Sequence, residues 1–291
     1  MNILTDAGAD LTPAQSQGLT FQSVPLTFML DGKTYRSGID IGPEAFYALL
    51  AGTQSFPITS QPSPGEFADA YRRLIASGDR DVLSIHISSG LSGTLNAARL
   101  GAQEVPEANV TFVDTLTLSG AEGWVVEAAG RMNLAGWPLS RMLPILEKIG
   151  KATETLYTLD TLKYLEHGGR ISHIQALLGQ ILDLKPIIGV EKEHGKYAVH
   201  SRERSLKKAV SKIAEMVAAQ FSGAGELRVM VMHGQNAPAA EDLMKQIGQR
   251  VNARFLPIGP IAPVLGAHTG PTLVGVCAAP MAVFEGIPGI A

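Results

Sequence analysis

Cysteine is almost missing from this chain: Cys277 is the only one in 291 residues. No intrachain disulfide can form, and a reducing cytoplasm is the simplest setting. Cys277 lies in the apolar run Leu273 to Ala279 and reads as a small buried hydrophobe rather than a reactive thiol. An excess of positive charge is missing too. Lys and Arg number 24 against 27 Asp and Glu, for a net charge of −3. No basic stripe is available to neutralise phosphates, which excludes a nucleic-acid partner. Long hydrophobic runs are absent, so no integral membrane segment is expected. Asp6 and Asp10 interrupt the start of the chain where a signal peptide would be apolar, which points to a cytoplasmic location. The seven histidines show no metal-ligand spacing, so no metal is expected.

What is present is 45% hydrophobic residues, enough for a sizeable core, in a pattern that alternates strand and helix. Asn2 to Asp6 reads as a strand, and Asp10 or Thr12 ahead of Pro13 starts a helix. Val24 to Leu30 and Lys33 to Arg36 read as a hairpin across Asp31-Gly32, a dipeptide that favours the positive φ its turn needs. A helix runs from Pro43 to about Ala51. Phe56 to Pro64 reads as a rigid polar loop, and Phe67, Tyr71, Leu74 and Ile75 then mark a helix face. The strand Val82–His86, a helix from Thr94 and the strand Val110–Asp114 form a βαβ unit, which implies a parallel sheet. Helices over 119–135 and 139–149 follow.

The second half alternates again. A strand over 155–159 precedes helices over 162–167 and 174–182, then a hairpin of 186–192 with 196–202. A long helix from Leu206 to Phe221, a strand over 228–232, a helix near 238–251 and strands over 254–258 and 273–278 close the chain. The expectation is α/β architecture in two lobes, 1–152 and 153–291.

Four loops carry candidate chemistry. Ser88-Ser89-Gly90-Leu91-Ser92-Gly93-Thr94 leaves a buried strand and enters a helix, which presents free N–H groups and the positive helix end to a phosphate or a carboxylate. It lacks the endings of a Walker loop, a dinucleotide fingerprint and a nucleophile elbow. Thr59-Ser60-Gln61-Pro62-Ser63 offers hydroxyls before a helix; capping explains Ser63 but not Thr59. In Gly266-Ala267-His268-Thr269-Gly270-Pro271 a histidine flanked by glycines could donate to a carboxylate, though alone it reads as a surface histidine. In Leu165-Glu166-His167-Gly168-Gly169-Arg170-Ile171-Ser172 the glycines end a helix, leaving Arg170 either in a structural ion pair or aimed at an anion. The basic cluster of Arg202, Arg204, Lys207, Lys208 and Lys212 reads as a solvated face or as a docking site for an acidic or phosphorylated partner.

Together, and in this order, the four loops resemble the signature segments of the DegV family. The opening Thr5-Asp6-Ala7-Gly8-Ala9-Asp10-Leu11 is similar to the family's S-D-S-x-x-D-L start, with both serines replaced. Asp160 to Leu165 and Leu184-Lys185-Pro186-Ile187 match as well, so the resemblance spans about residues 2 to 280. It implies a bacterial fatty-acid-binding protein with a Rossmann-like N-terminal lobe, a C-terminal α/β lobe and the ligand between them. It also implies a separate fatty acid kinase subunit that phosphorylates the bound carboxylate to an acyl phosphate for phospholipid synthesis. The chain itself would then be a non-catalytic carrier, with a long-chain fatty acid as ligand and no other cofactor.

Carried over by motif, Thr59, Ser92, Gly93 and His268 would hold the carboxylate. Arg170, with Arg202 or Arg204, would meet the kinase or the phosphate; the family pattern fits Arg204 better. Thr272 stands where the family has the last glycine of H-x-G-P-G. Apolar stretches 174–182 and 257–265 are candidate tunnel walls. Two other readings use the same residues: a serine hydrolase built on Ser92 and His268, and a regulator that binds phosphate or nucleotide.

Overall fold

The structure, a computed structural model, describes residues 1–171 and 184–290. The helix expected over 174–182 lies outside the described residues.

The chain opens with β1 (Asn2–Asp6), the short α1 (Pro13–Ser16) and β2 (Gln22–Val24). A small antiparallel sheet follows from β3 (Thr27–Leu30), β4 (Lys33–Arg36) and, beyond α2 (Pro43–Ala51), β5 (Ile58–Ser60). Then come α3 (Pro64–Ile75), β6 (Asp81–His86), α4 (Thr94–Gln103) and β7 (Asn109–Asp114). The strands β2-β1-β6-β7, in that order, make an all-parallel four-stranded sheet, as the βαβ pattern predicts. The turn at Asp31 (φ 50°) and Gly32 (φ 75°) has the two positive φ angles expected of its hairpin.

Two expectations for this part are corrected. Val24 does not extend into the hairpin strand: Pro25 has no N–H to give a ladder, and β2 ends there to pair with β1 while β3 starts anew at Thr27. The polar stretch before α3 is not all loop either. Ile58, Thr59 and Ser60 pair with β3 in antiparallel register, Thr59 opposite Phe28.

Two helices, α5 (Ser119–Leu134) and α6 (Leu139–Ala152), lead to β8 (Glu154–Thr158), α7 (Lys163–His167), β9 (Lys185–Val190) and β10 (Tyr197–Glu203). The chain closes with α8 (Leu206–Gln220), β11 (Leu227–His233), α9 (Ala237–Gly248), β12 (Ala253–Phe255), β13 (Gly259–Pro260), α10 (Pro263–Thr269) and β14 (Val274–Pro280). Strands β10-β9-β8-β14-β11-β12, with β13 beside β11, form a mixed seven-stranded sheet. The strand expected over 254–258 is cut short: β12 ends at Phe255, and the next short strand, β13, begins only at Gly259.

Layering follows from which faces are apolar. Helices α3 and α4 cover one face of the parallel sheet through Phe67, Tyr71, Ala97 and Ala98, packed on Leu4 and Val82. Helices α8 and α9 cover one face of the mixed sheet through Val210, Ile213, Leu243 and Ile247. Between the two sheets lies α5, which touches β1 and β6 on one side and β14 on the other. It is buried nearly all round, with Trp124, Val126, Ala128, Ala129 and Met132 inaccessible. A helix buried on nearly every side belongs in such a middle layer, and its buried Glu127 is paired with Arg228. No helix among the described residues is long and apolar enough to cross a membrane.

Candidate functional site

The hydroxyl-rich loop after β6 is held from beneath by a buried polar chain. Asp6 Oδ2 accepts the Ile87 N–H at 3.1 Å and lies 2.9 Å from His86 Nδ1, and Asp6 Oδ1 accepts the Gly8 N–H at 2.8 Å. His86 Nε2 meets Ser84 Oγ at 2.7 Å, and Ser84 Oγ meets the Tyr71 hydroxyl at 2.9 Å. These groups are closed off from solvent. The chain ties α3, β6 and the end of β1 together, and so fixes where the loop leaves the sheet.

The loop divides its hydroxyls between two jobs. Ser88 Oγ donates to the Gly195 carbonyl at 2.7 Å, in the turn between β9 and β10. A Cβ on Gly90 would run into the His194 and Gly195 carbonyls, so that glycine is needed for the turn to dock. Ser92 instead faces the interior: its Oγ accepts the Thr94 N–H at 3.3 Å and sits 2.8 Å from Thr94 Oγ1, at the first turn of α4. At Gly93 an added Cβ would take the place of the Gln61 side-chain amide, an exposed group that would have to move aside.

Thr59 reaches the site from β5. The capping box of Ser63 and Glu66 starts α3 and sets the approach of the chain: Ser63 N–H donates to Glu66 Oε2 at 2.7 Å, and Glu66 N–H to Ser63 Oγ at 3.2 Å. Thr59 Oγ1 lies 2.8 Å from His268 Nε2. His268 is not in a loop, as its flanking glycines suggest, nor on the surface. It stands in the last turn of α10 and is 9% exposed. Pro263 starts that helix and Gly266 is tolerated within it because Tyr47 and Phe46 of α2 press against its Cα. Burial, and secondarily the Arg170 charge, pushes His268 down to about 3, so the ring is neutral near pH 7. A neutral ring shares one proton with Thr59, and when Nε2 holds it the Thr59 hydroxyl is free to donate onward.

Arg170 follows the α7 cap formed by Gly168 and by Gly169 at φ 71°, and its Nη1 donates to the Gly168 carbonyl at 2.7 Å. Thr59, Gln61, Ser92, Arg170 and His268 line one small cavity. Arg170 is the only Arg or Lys among its described lining residues. A second small cavity shares Leu118, Tyr197, Leu265 and His268 with the first and is otherwise lined by residues such as Tyr157, Met232, Ile261 and Leu273. One end is polar and singly cationic; the remainder is apolar. The character of these linings suits a small anionic head with a hydrocarbon behind it. Of the two candidate stretches for the tunnel wall, Ile261, Val264 and Leu265 do line these cavities.

Arg202, on β10, and Arg204, just past it, are exposed and do not line either cavity. The hydrolase pairing is not assembled, since Ser92 bonds Thr94 while His268 bonds Thr59. Cys277 is buried, and burial pushes its thiol up to about 11. No group of three His, Cys, Asp or Glu among the described residues could hold a metal. Thr272, in the place of the family's glycine, accepts the Asp160 N–H at 3.0 Å.

Sequence reasoning missed Leu118, Tyr157 and Tyr197, because apolar and aromatic residues facing a tunnel read as core. The loop residue Gln61 carried a signal: it follows Thr59 in the same motif, and its amide packs where Gly93 has no side chain.

The family model described as an uncharacterised protein, DegV family, matches residues 1–281. A DegV domain-containing protein of Deinococcus radiodurans is 35% identical over 281 residues, covering 96% of this chain and 98% of that one. Another, of Listeria innocua, is 31% identical over 273 residues, covering 94% and 96%. Among solved structures, a DegV family protein from Thermus thermophilus, described by its fatty acid binding, superimposes with TM-score 0.86 at 32% identity, over 96% of this chain and 99% of its own. DegV of Bacillus subtilis, a fatty acid binding protein, gives TM-score 0.85 at 26% identity, over 96% and 98%.

Proposed function

This chain belongs to the DegV family, and from that premise we propose that it binds a long-chain fatty acid in the paired cavities and presents the carboxylate to a separate kinase. The observation that carries the reading is the adjacency of the two cavities, which share His268, Leu118, Leu265 and Tyr197 in their walls, one with Thr59, Ser92 and Arg170 in its lining and the other mostly apolar. The carboxylate takes hydrogen bonds from Thr59 and Ser92, approaches the Gly93 N–H, and is balanced by Arg170 with His268 beside it. Arg202 or Arg204, exposed on the same half as Arg170, meets the kinase or the phosphate. The chain does no chemistry alone: it lends its ligand to the partner, in the cytoplasm, on the way to acyl phosphate and phospholipid.

Tail burial dominates affinity. At about 0.8 kcal/mol per methylene, a chain of roughly fourteen methylenes contributes up to about 11 kcal/mol. The head-group bonds set orientation and offset a desolvation cost of roughly 2–7 kcal/mol for each unpaired polar group.

Native mass spectrometry of unwashed protein, with analysis of its organic-solvent extract, tests this directly. A stoichiometric fatty acid is expected. A protein that is empty and also ignores added palmitate and oleate sinks the reading. Kinase presentation is tested apart, by acyl-phosphate formation on the loaded protein with a fatty acid kinase.

A further inference from the structure

Helix α10 carries His268 at one end, yet it has no cap of its own at the other. Its N-cap residue is Ala262, which has no side-chain acceptor. A helix of this kind usually closes its first turn with a hydroxyl at the N-cap and an acid at the third helical position. That third position is Leu265, which faces both cavities, so an acid there would put a carboxylate into the apolar wall. Both missing groups come from the N-terminal half of the chain. Ser37 Oγ accepts the Val264 N–H at 3.4 Å, and Asp10 Oδ1 accepts the Ala262 N–H at 3.0 Å.

The other oxygen of Asp10 holds a different wall. Asp10 Oδ2 accepts the Ser119 hydroxyl at 2.5 Å, and the Asp10 N–H donates to the Ser119 carbonyl at 3.2 Å. Ser119 has φ 60°, a left-handed conformation that costs a non-glycine residue about 1–2 kcal/mol. It stays there because these bonds, with that of its own N–H to the Gly8 carbonyl at 2.8 Å, fix it. Its neighbour Leu118 lines both cavities, and Ser119 itself lines the apolar one.

We propose that Asp10 is a positioning residue of the ligand site, joining α10 and the Leu118–Ser119 wall through one carboxylate and so setting His268 against Thr59. This rests on the fatty-acid reading. Asp10 touches no ligand; it lines a separate crevice with Thr5, Ser23 and Ser37. Asparagine can replace it bond for bond, with Oδ1 accepting from Ala262 and Nδ2–H donating to Ser119 Oγ, whereas alanine removes both ties.

The test compares palmitate with hexadecanol, which share a tail and differ in the head. The readout is the ratio of the two affinities, with melting temperature measured in parallel. Asp10→Ala is expected to cut the preference for the acid about fivefold or more, the equivalent of about one hydrogen bond. Asp10→Asn is expected to keep the ratio within about twofold of wild type, whatever its melting temperature. An unchanged ratio in Asp10→Ala overturns the positioning role and leaves the fatty-acid reading standing. If Asp10→Ala does not fold, Ser119→Ala, which cuts one tie only, is read instead: a reduced ratio supports the role and an unchanged one overturns it. A wild-type protein that binds neither ligand overturns the fatty-acid reading and the role with it.

Discussion

Replacing Gly168 by alanine should disable the head-group site without itself replacing any residue that would contact the ligand. Gly168 has φ −74°, so its backbone suits any L-residue and the effect is purely one of space. An added Cβ would stand 2.8 Å from His268 Cε1 and 3.0 Å from the Tyr164 carbonyl, and closer still to His268 Nδ1. The imidazole is the neighbour free to turn, because the carbonyl belongs to α7. Turning it breaks the 2.8 Å contact with Thr59.

Loss of that bond is worth about 1–2 kcal/mol, a roughly five- to thirtyfold weaker affinity for palmitate. Overpacking adds about 1–3 kcal/mol of destabilisation. Isothermal titration with palmitate and hexadecanol measures the first, and thermal denaturation the second. Gly169→Ala is the control: its φ of 71° strains an alanine, yet nothing lies within 4 Å of its Cβ, so it should lower stability and leave head-group discrimination intact. Wild-type palmitate affinity in Gly168→Ala, with the His268 ring resonances unmoved, would refute the reasoning.

Acid should cost stability through His268 and restore some through Asp10. Folded His268 holds its proton less tightly than the unfolded chain, so stability falls by up to about 1.4 kcal/mol per pH unit from about 6.5 towards 3; in His268→Gln, melting temperature against pH should be flatter over that window. Burial raises Asp10 to about 6, so its carboxyl binds a proton more tightly when folded, and stability is gained as pH falls from about 6 to about 4. Asp10→Asn should lose that gain and be the more stable protein at pH 7.5, as urea titration would show. Glu127→Ala should be severe: Glu127 Oε2 accepts from Arg228 Nη2 at 2.7 Å and from Gln15 Nε2 at 2.8 Å, and an unpaired guanidinium at 5% exposure costs about 3–5 kcal/mol, seen as a collapse of the urea midpoint.

The local parts of the fold were legible because their signals are local. The Asp31-Gly32 turn, the helix cap at Ser63 and the alternating strand and helix patterns of the βαβ unit from Val82 to Asp114 each rest on residues near in sequence. The misses share one cause, which is partners far along the chain. β5 is a strand because β3 offers it an edge, not because Ile58-Thr59-Ser60 is strand-like between prolines. α10 is a helix despite Gly266 and Gly270, and its caps come from Ser37 and Asp10, over 200 residues away. The candidate site was half visible. The motifs supplied Thr59, Ser92, His268 and Arg170, whereas the use of Ser88 for docking a turn, and the burial that keeps His268 neutral, depend on tertiary packing.

The position of α5 carries a consequence for how the chain acquires its structure. Because one helix fills the space between the two sheets, neither sheet can hide its inner face until the other half of the chain has arrived. Residues 1–152 alone would hold α5 with its β14 side bare, and residues 153–290 would have an uncovered sheet. Folding should therefore run as one cooperative event with a high proportion of distant contacts, slow for its size, and a single melting transition should report both halves. Separately expressed halves should aggregate, and co-refolding them should recover the soluble protein.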